Sequence, residues 1–169
     1  SLPISTDNIS ASLHDNLLTV NLDNENHYTA FQMVVTMPEG MTLAKAVIDK
    51  LRGTDHQLAV RNLGNGQYLM AGFSMGNSEL AGNSGRLLTI GTKGQTKGDI
   101  IISDIEFATA EAEAYRLVPI SISSTATGIY QVENREWSQD DVIFDLQGRR
   151  VNHPSRGLYI VNGSKLIVK

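Results

Sequence analysis

Apolar and polar residues alternate with a period of two along most of this chain, which is the pattern of strands that bury one face. The longest such run covers residues 28–43. One side of its first part carries only apolar side chains, namely Phe31, Met33, Val35 and Met37. Pro38 then removes an amide donor and Glu39-Gly40 turns the chain, so a strand that ends just before Pro38 is predicted.

Shorter runs of the same kind recur at intervals of roughly ten residues. They cover residues 9–13, 17–22, 43–48, 57–63, 67–74, 86–92, 99–110 and 114–119. Asn65-Gly66 predicts a tight hairpin, because this dipeptide tolerates positive φ at both turn positions. Ser103-Asp104 is a candidate β-bulge within the long run 99–110. With no long helical pattern, about nine short strands predict an all-β, antiparallel jelly-roll sandwich.

The end of the chain has a different composition. Residues 120–128 are rich in Ser and Thr, which favours a connector. Gln147-Gly148 and Asn162-Gly163 each separate two alternating apolar runs, which predicts a short β-meander. The expected organisation is a sandwich over residues 1–119, a linker with a lead-in strand over 120–141, and a small C-terminal meander over 142–169.

Charge is divided unequally between these parts. Residues 1–141 contain nine Lys or Arg and seventeen Asp or Glu, a net charge of -8, whereas residues 142–169 have a net charge of +4. An acidic body is a poor match for a phosphate backbone, so nucleic acid is not an expected partner. No stretch of eighteen apolar residues is present, hence no transmembrane segment is predicted. The chain begins at Ser1, and we expect a mature form whose export signal has been removed.

Side chains that could support catalysis or bind a cofactor do not form a recognisable motif. The chain has no cysteine, and its four histidines lie in polar contexts without the spacing of a zinc site. Residues 23–26, Asp-Asn-Glu-Asn, could hold calcium, yet they lack the Gly and the alternating acidic pattern of a dedicated loop. A solvated turn is therefore favoured there. The sequence predicts no cofactor and no enzyme activity.

Several stretches of the first 120 residues resemble the cohesin-like modules of bacterial surface proteins and cellulosome scaffolds. The matching segments are NLDNENHYTAFQMVVTMPEGMTL, the hairpin at Asn65-Gly66, ELAGNSGRLLTIGTK and GDIIISDIEFATA. The resemblance implies a nine-stranded jelly-roll sandwich, related in shape to some carbohydrate-binding modules. It also implies an adhesion or scaffold module with a protein partner, such as a dockerin-like helical domain. It assigns no partner contacts residue by residue.

Residues 128–169 look like the C-terminal tail of many exported Bacteroidetes proteins. The residues that carry this similarity are Asp145, Gly148, Arg149, Arg150, Gly157, Tyr159, Asn162 and Gly163. In part of that phylum such tails direct proteins to an export machinery in the outer membrane. The similarity therefore implies an exported protein at the cell surface, in the periplasm or outside the cell, and it implies no activity.

Alternation also predicts a binding face. If Phe31, Leu69, Ala71, Phe73, Ile101, Ile105 and Phe107 point inward, the outward set on the same strands is Val34, Tyr68, Met70, Ile100 and Ile102. Such an outer face is unusually apolar for a solvated sheet and suits protein recognition. The alternative is that an N-terminal strand or the 142–169 meander covers it.

Trp137 is the only tryptophan and could stack on a sugar ring, although an anchor between the linker and the sandwich is the favoured interpretation. Three hypotheses about function remain open at this point. The first is a non-catalytic module that binds a protein partner, the second is a carbohydrate-binding module that binds a polysaccharide, and the third is a structural spacer before an export tail.

Overall fold

The strands of the computed structural model confirm the predicted all-β fold. The structure describes residues 1–94, 98–123, 130–132, 142–161 and 164–168, and within these residues it contains strands and no helix. Consequently, no helix in this part of the chain could span a membrane. By its internal contacts the chain divides into Ser1–Ser124, here called unit 1, and Thr125–Lys169, here called unit 2.

Unit 1 is an antiparallel sandwich. Its strands are β1 (Asn8–His14), β2 (Leu17–Asp23), β3 (Tyr28–Thr36), β4 (Thr42–Ile48), β5 (His56–Gly64), β6 (Gln67–Ser74), β7 (Arg86–Lys93), β8 (Asp99–Thr109), β9 (Ala114–Leu117) and β10 (Ile120–Ser123). Sheet 1 has the order β1-β2-β7-β4. Sheet 2 has the order β10-β8-β3-β6-β5. Strand β9 also pairs with β8, along the same edge of β8 that β10 occupies.

The core lies between the inner faces of the two sheets. Central strand β3 contributes Met33 and Val35, both completely buried, as the alternation predicts. At one end of the core the ring of Phe107 lies 4.9 Å from Tyr28 and 5.4 Å from Phe31, measured between centroids. Sheet 1 supplies fully buried aliphatic side chains, including Leu18, Val20, Leu22, Leu88 and Ile90.

The sandwich extends further along the chain than the prediction placed it. The Ser content of residues 120–123 predicts a connector, but these residues form β10 and pair with Asp99–Ile102 of β8. The two serines alternate with Ile120 and Ile122, and the side chain of Ile122 is buried in the core. A polar residue at every second position is compatible with a strand that has one solvated face.

Unit 2 contains β11 (Tyr130–Val132), β12 (Ile143–Phe144), β13 (Gly157–Val161) and β14 (Ser164–Val168), in the order β11-β14-β13-β12. The pair β11 and β14 is parallel, and the other two pairs are antiparallel. After β12 the chain turns at residues 145–149. Asp145 holds this turn because its carboxylate accepts hydrogen bonds from the amides of Gln147 and Arg149.

Candidate functional site

Most of the residues predicted to form the outward binding face lie in the core instead. Tyr68, Met70, Ile100 and Ile102 are all buried members of the central hydrophobic cluster. Val34 lies outside that cluster, on the outer side of sheet 2, although it too is buried, with 8% of its surface exposed. The prediction is therefore wrong for β6 and for the first half of β8, and each error has its own physical cause.

On β6 the error comes from choosing the wrong face. Residues that stand directly opposite each other in an antiparallel pair point to the same side of the sheet. Met33 pairs with Met70 and Val35 pairs with Tyr68, so the inward face of β3 carries these β6 residues inward as well. A shift of one residue reverses the two faces of a strand. Leu69, Ala71 and Phe73 consequently lie on the outer side.

On β8 the error comes from a β-bulge. The register with β3 shifts between Gln32 and Val34, opposite the predicted bulge site, and Asp104 has a φ of 49°. The additional residue reverses the alternation. As a result Ile105 and Phe107 point inward as predicted, whereas before the bulge Ile100 and Ile102 point inward and Ile101 is exposed.

The outer face of sheet 2 has an apolar centre. Val34 stands between Leu69 of β6 and Ser103 of β8, and Ala71 stands next to Gln32 in the adjacent row. The apolar residues of this face, here called the outer face of sheet 2, are Ala30, Val34, Ala59, Leu69, Ala71, Phe73, Ile101 and Ala108. Charged side chains lie toward its margins, with Arg61 on β5, Asp104 and Glu106 on β8, and Arg116 on β9.

Sheet 1 has a more polar outer face. Its central row contains Ser12, Thr19, Thr89 and Val47, which are direct neighbours across β1, β2, β7 and β4. Leu17 and Val47 are its larger exposed apolar side chains. The hydroxyl groups at the centre of the outer face of sheet 1 are easily solvated. The outer face of sheet 2 has an apolar centre instead, so it is the better of the two surfaces for excluding water.

A cleft of about 450 Å³ lies at the end of the sandwich, between the β3–β4 turn and the β5–β6 hairpin. It is lined by Met37, Pro38, Glu39, Gly40, Met41, Thr42, Asn62, Gly64, Asn65, Gly66 and Tyr68. The hydroxyl of Tyr68 accepts a hydrogen bond from the amide of Leu43 at 3.3 Å. Glu39 is the one ionisable carboxylate of the lining, so this cleft lacks the paired acid and base that hydrolytic chemistry requires.

Polar groups of the acidic turn at residues 23–26 form hydrogen bonds with other groups of the protein. Asn24 is buried, where its side-chain oxygen accepts a hydrogen bond from Arg52 and its amide donates to the carbonyl of Asn26. The carboxylate of Asp7 accepts hydrogen bonds from the backbone amide of Glu25 and from the side chain of Asn26. Within the described residues no three His, Asp or Glu side chains converge in a manner that could hold a metal ion.

Arg52 is the most deeply buried charged side chain of the described region, with 5% of its surface exposed. Its guanidinium donates to the carbonyls of Leu22, Ala81 and Gly85 as well as to Asn24. Burial lowers the pKa of this guanidinium, while the charges of Asp23 and Asp49 oppose that effect. No sequence pattern indicates this cluster, because its members are about 30 residues apart along the chain.

The polar sequence contexts of the histidines favour exposed side chains, and those of His14, His27 and His153 are exposed. His56 is an exception because it is buried at the start of β5, where its Nε2 donates to the carbonyl of Thr29 at 3.0 Å. Gly53 leaves the room for this packing, since a Cβ there would lie 3.1 Å from the His56 Cβ.

The tail motif is only partly described by the structure. Asp145 and Arg149 form a salt bridge of 2.9 Å, and Gly148 between them has a φ of 82°. Arg150 forms an isolated bridge with Phe144. Gly157 begins β13, and the hydroxyl of Tyr159 in the same strand lies 3.5 Å from that of Ser155. Trp137, Asn162 and Gly163 lie outside the described residues.

No protein-family profile matches the chain. No curated protein sequence matches it either. The comparison with solved structures, in contrast, finds cohesin modules of similar fold.

One is a non-cellulosomal cohesin of Archaeoglobus fulgidus, with 12% sequence identity and a TM-score of 0.54 over 70% of this chain and 91% of that one. A second is the CaCohA2 cohesin of Clostridium acetobutylicum, with 12% identity and a TM-score of 0.55 over 71% of this chain and 91% of that one. A third is the sixth cohesin of scaffoldin B from Acetivibrio cellulolyticus, solved with a Cel5 dockerin, with 11% identity and a TM-score of 0.55 over 70% and 98%. These similarities show that the chain contains a cohesin-like jelly-roll sandwich.

Proposed function

We propose that this protein is a non-catalytic adhesion or scaffold module that binds a protein partner through the outer face of sheet 2. The observation that carries the proposal is the apolar centre of that face, where the half-buried Leu69 of β6 pairs with the buried Val34 of β3 and the half-buried Phe73 lies further along β6. The comparison adds support, because the cohesin of Acetivibrio cellulolyticus was solved in complex with a dockerin. We therefore propose a dockerin-like helical domain as the class of partner.

The chemistry of the face favours protein over small ligands. It is a sheet surface rather than a cavity, and its apolar centre has charged groups only at its margins. Many protein–protein interfaces have an apolar centre and a polar rim. A few large side chains at the centre supply most of the binding energy, and the rim excludes water. Leu69 and Phe73 are the large, partly exposed side chains of the centre, and we expect them to contribute most.

The test compares two substitutions of the same kind on opposite sides of the sandwich. Leu69→Asp places a charge in the outer face of sheet 2, and Thr89→Asp places the same charge at a half-buried position of sheet 1. The immobilised protein first captures a partner from the cells that produce it, and the purified partner is then titrated calorimetrically. Loss of a central contact of about 2 kcal/mol or more raises Kd at least tenfold for Leu69→Asp, and Thr89→Asp leaves it unchanged.

Two outcomes contradict this proposal. One is equal weakening by both substitutions, which would indicate a general effect of added charge. The other is unchanged affinity of Leu69→Asp, which would locate the interface elsewhere. Thermal unfolding of both variants is the control, because each variant must retain the folded sandwich before its affinity is interpreted.

For unit 2 we propose the role of an export address, which gives the protein a location at the cell surface, in the periplasm or outside the cell. The support is the similarity of its motif to exported Bacteroidetes tails, together with the hydrogen-bonded turn that Asp145 and Arg149 hold in place. Removal of residues 125–169 follows the boundary of the unit and spares β10. Fractionation of the producing cells should then find the truncated protein retained inside the cells. An unchanged location of the truncated protein would contradict the role of unit 2 as an export address.

The carbohydrate-binding and spacer hypotheses have less support. Tyr68, which a glycan site on sheet 2 would need, is buried, and its hydroxyl is bonded to the backbone of Leu43. Affinity electrophoresis on polysaccharide gels distinguishes the alternatives, since the proposed function predicts no retardation. Retardation that Trp137→Ala abolishes would favour the glycan hypothesis instead.

A further inference from the structure

Sheet edges expose unpaired backbone donors and acceptors, and a protein that stays monomeric must block them. In unit 1 the edges of sheet 1 are β1 and β4. Those of sheet 2 are β5 on one side and, on the other, β9 and β10 in succession along β8. The four places differ in how well they are protected.

The edge formed by β9 and β10 is blocked in three ways. Each of these strands is only four residues long, and Pro119 lies between them. The N-terminal segment also pairs with β9, because Ser5 donates its amide to the carbonyl of Arg116 and the amide of Arg116 donates to Pro3. Short strands, proline and a covering segment are all devices that prevent edge pairing.

Sheet 1 is protected as well. Strand β1 lies beside β10, on the side where the two sheets approach each other. Strand β4 contains an irregularity between Leu43 and Lys45, and Lys45 itself is exposed. A bulge and a lysine each discourage a second strand from pairing.

Strand β5 lies beside β4 as β1 lies beside β10, but it has little of the other protection. At nine residues it is the longest of these edge strands, it contains no proline, and its register with β6 is continuous from His56 to Asn62. Every residue after His56 is exposed except Leu58, which is half-buried. Arg61 is the one Lys, Arg, Asp or Glu residue of the strand. The strand is therefore a long, regular template with free backbone groups along one side.

We propose that β5 pairs with β5 of a second copy of this chain, antiparallel, to form a two-fold symmetric dimer with one continuous sheet. A pairing partner must itself be an extended strand with an open edge, and β5 meets both requirements. An axis at Val60 places Ala59 of each copy opposite Arg61 of the other. An axis at Arg61 would instead oppose two like charges, which destabilises a strand pair. The charge pattern of β5 is thus compatible with self-pairing and disfavours only the register centred on Arg61.

The geometry has a consequence for binding. The two-fold axis of an antiparallel strand pair of this kind is perpendicular to the sheet, so the outer faces of sheet 2 in both copies point in the same direction. If that face binds as proposed above, the dimer presents two binding faces side by side to a partner surface that carries several copies of its ligand. Linked sites of this kind raise the overall avidity without a new contact. This consequence rests on the proposed function, whereas the dimer itself does not.

Sedimentation velocity of the 169-residue protein from about 1 to about 500 µM tests the dimer without any partner. The matched variants are Val60→Lys on β5 and Val47→Lys on β4, because the two valines are 40% and 38% exposed. We expect concentration-dependent dimerisation of the unaltered protein and of Val47→Lys. For Val60→Lys we expect a dissociation constant at least about tenfold higher.

Three outcomes overturn the proposal: a monomeric unaltered protein over the whole range, an unchanged dimer of Val60→Lys, and equal weakening by both lysines. Should Val60→Lys fail to fold, Ala59→Lys replaces it, since Ala59 is exposed and points away from the core. If Leu69→Asp loses partner binding but still dimerises, the binding face and the dimer are independent of each other. If Val60→Lys loses the dimer but keeps its affinity for the partner at a single site, the same independence is shown from the side of the dimer.

Discussion

Tyr28 donates its phenolic hydrogen to Oδ2 of Asp7 across 2.5 Å, and this bond ties the segment before β1 to the beginning of β3. The ring of Tyr28 is fully buried against Phe107, while its hydroxyl also lies 2.8 Å from Ser5 Oγ. The aromatic body thus belongs to the core and the polar tip to the N-terminal segment. One side chain links the two sheets at this end of the sandwich.

Removing only the hydroxyl measures this link. We expect Tyr28→Phe to lower the free energy of unfolding by about 2 kcal/mol, because a hydrogen bond to a charged group is lost and the carboxylate keeps its other donors. Urea denaturation gives the value. Tyr115→Phe is the matched control, since its hydroxyl donates to an exposed Glu113 at 3.3 Å and should contribute little. Equal losses in both variants would contradict the special role of Tyr28.

The same pair makes stability depend on pH at both ends of the scale. Burial acts to raise the pKa of Asp7, but hydrogen bonds from Tyr28, Glu25 and Asn26 outweigh it and lower the pKa below 3.8. Its contribution to stability is therefore present above the unfolded pKa and lost as the pH falls through the folded one. Burial, followed by the bond to Asp7, raises the pKa of Tyr28 to about 12.

For the tyrosine the sign is the opposite. Because the folded pKa lies above the unfolded value, the stabilisation is complete below pH 10 and is lost between pH 10 and about 12. Alkaline titration followed by tyrosinate absorbance should show a late-titrating component in the native protein, to which Tyr115 also contributes because the charge of Glu113 raises its pKa. The part of that component near pH 12 should be lost in Tyr28→Phe, and a titration curve unchanged apart from its amplitude would contradict the assignment.

The sequence predicts the class of fold because β3, the most regular run, is also the central strand of sheet 2. The hairpin at Asn65-Gly66 is likewise visible in the sequence, and both residues have positive φ, 54° and 76°. The face of β6 is not visible in the same way. Tyr68, Met70 and Leu69 are comparably apolar, so alternation alone cannot decide which side is buried; the pairing with β3 decides it.

Two further features require the folded chain. The bulge at Ser103-Asp104 is recognisable in the sequence, but its effect on the alternation of β8 depends on the register with β3. The hydrogen bonds of Arg52 join loops that are far apart along the chain. A lone arginine between Leu51 and Gly53 gives no indication of such partners, because charged residues are usually exposed.

Gly72 explains why β6 accepts Phe31 as a neighbour. A Cβ at Gly72 would lie 2.2 Å from the Phe31 ring, which occupies the space that a side chain would need. We expect Gly72→Ala to lower the free energy of unfolding by about 1–3 kcal/mol through overpacking. Combining it with Phe31→Leu should recover part of the loss, and the double-mutant cycle measures this coupling. Strictly additive losses would mean that the Phe31 ring and a side chain at position 72 do not compete for the same space.

Arg52 gives the last prediction. Its planar guanidinium donates along several directions at once, to Leu22 at 2.8 Å and to Ala81 and Asn24 at 2.5 Å. Lysine keeps the charge but cannot reproduce this geometry. Arg52→Lys should therefore leave buried carbonyl groups unpaired, and each costs about 1–3 kcal/mol.

We expect a loss of at least about 2 kcal/mol in the urea-derived free energy of unfolding, with faster amide exchange in residues 80–85, where Arg52 binds the carbonyls of Ala81 and Gly85. Arg61→Lys, at the exposed edge of β5, is the matched control and should change stability by less than about 0.5 kcal/mol. If Arg52→Lys is as stable as the unaltered protein, the charge of Arg52 rather than its hydrogen-bonding shape holds these loops together.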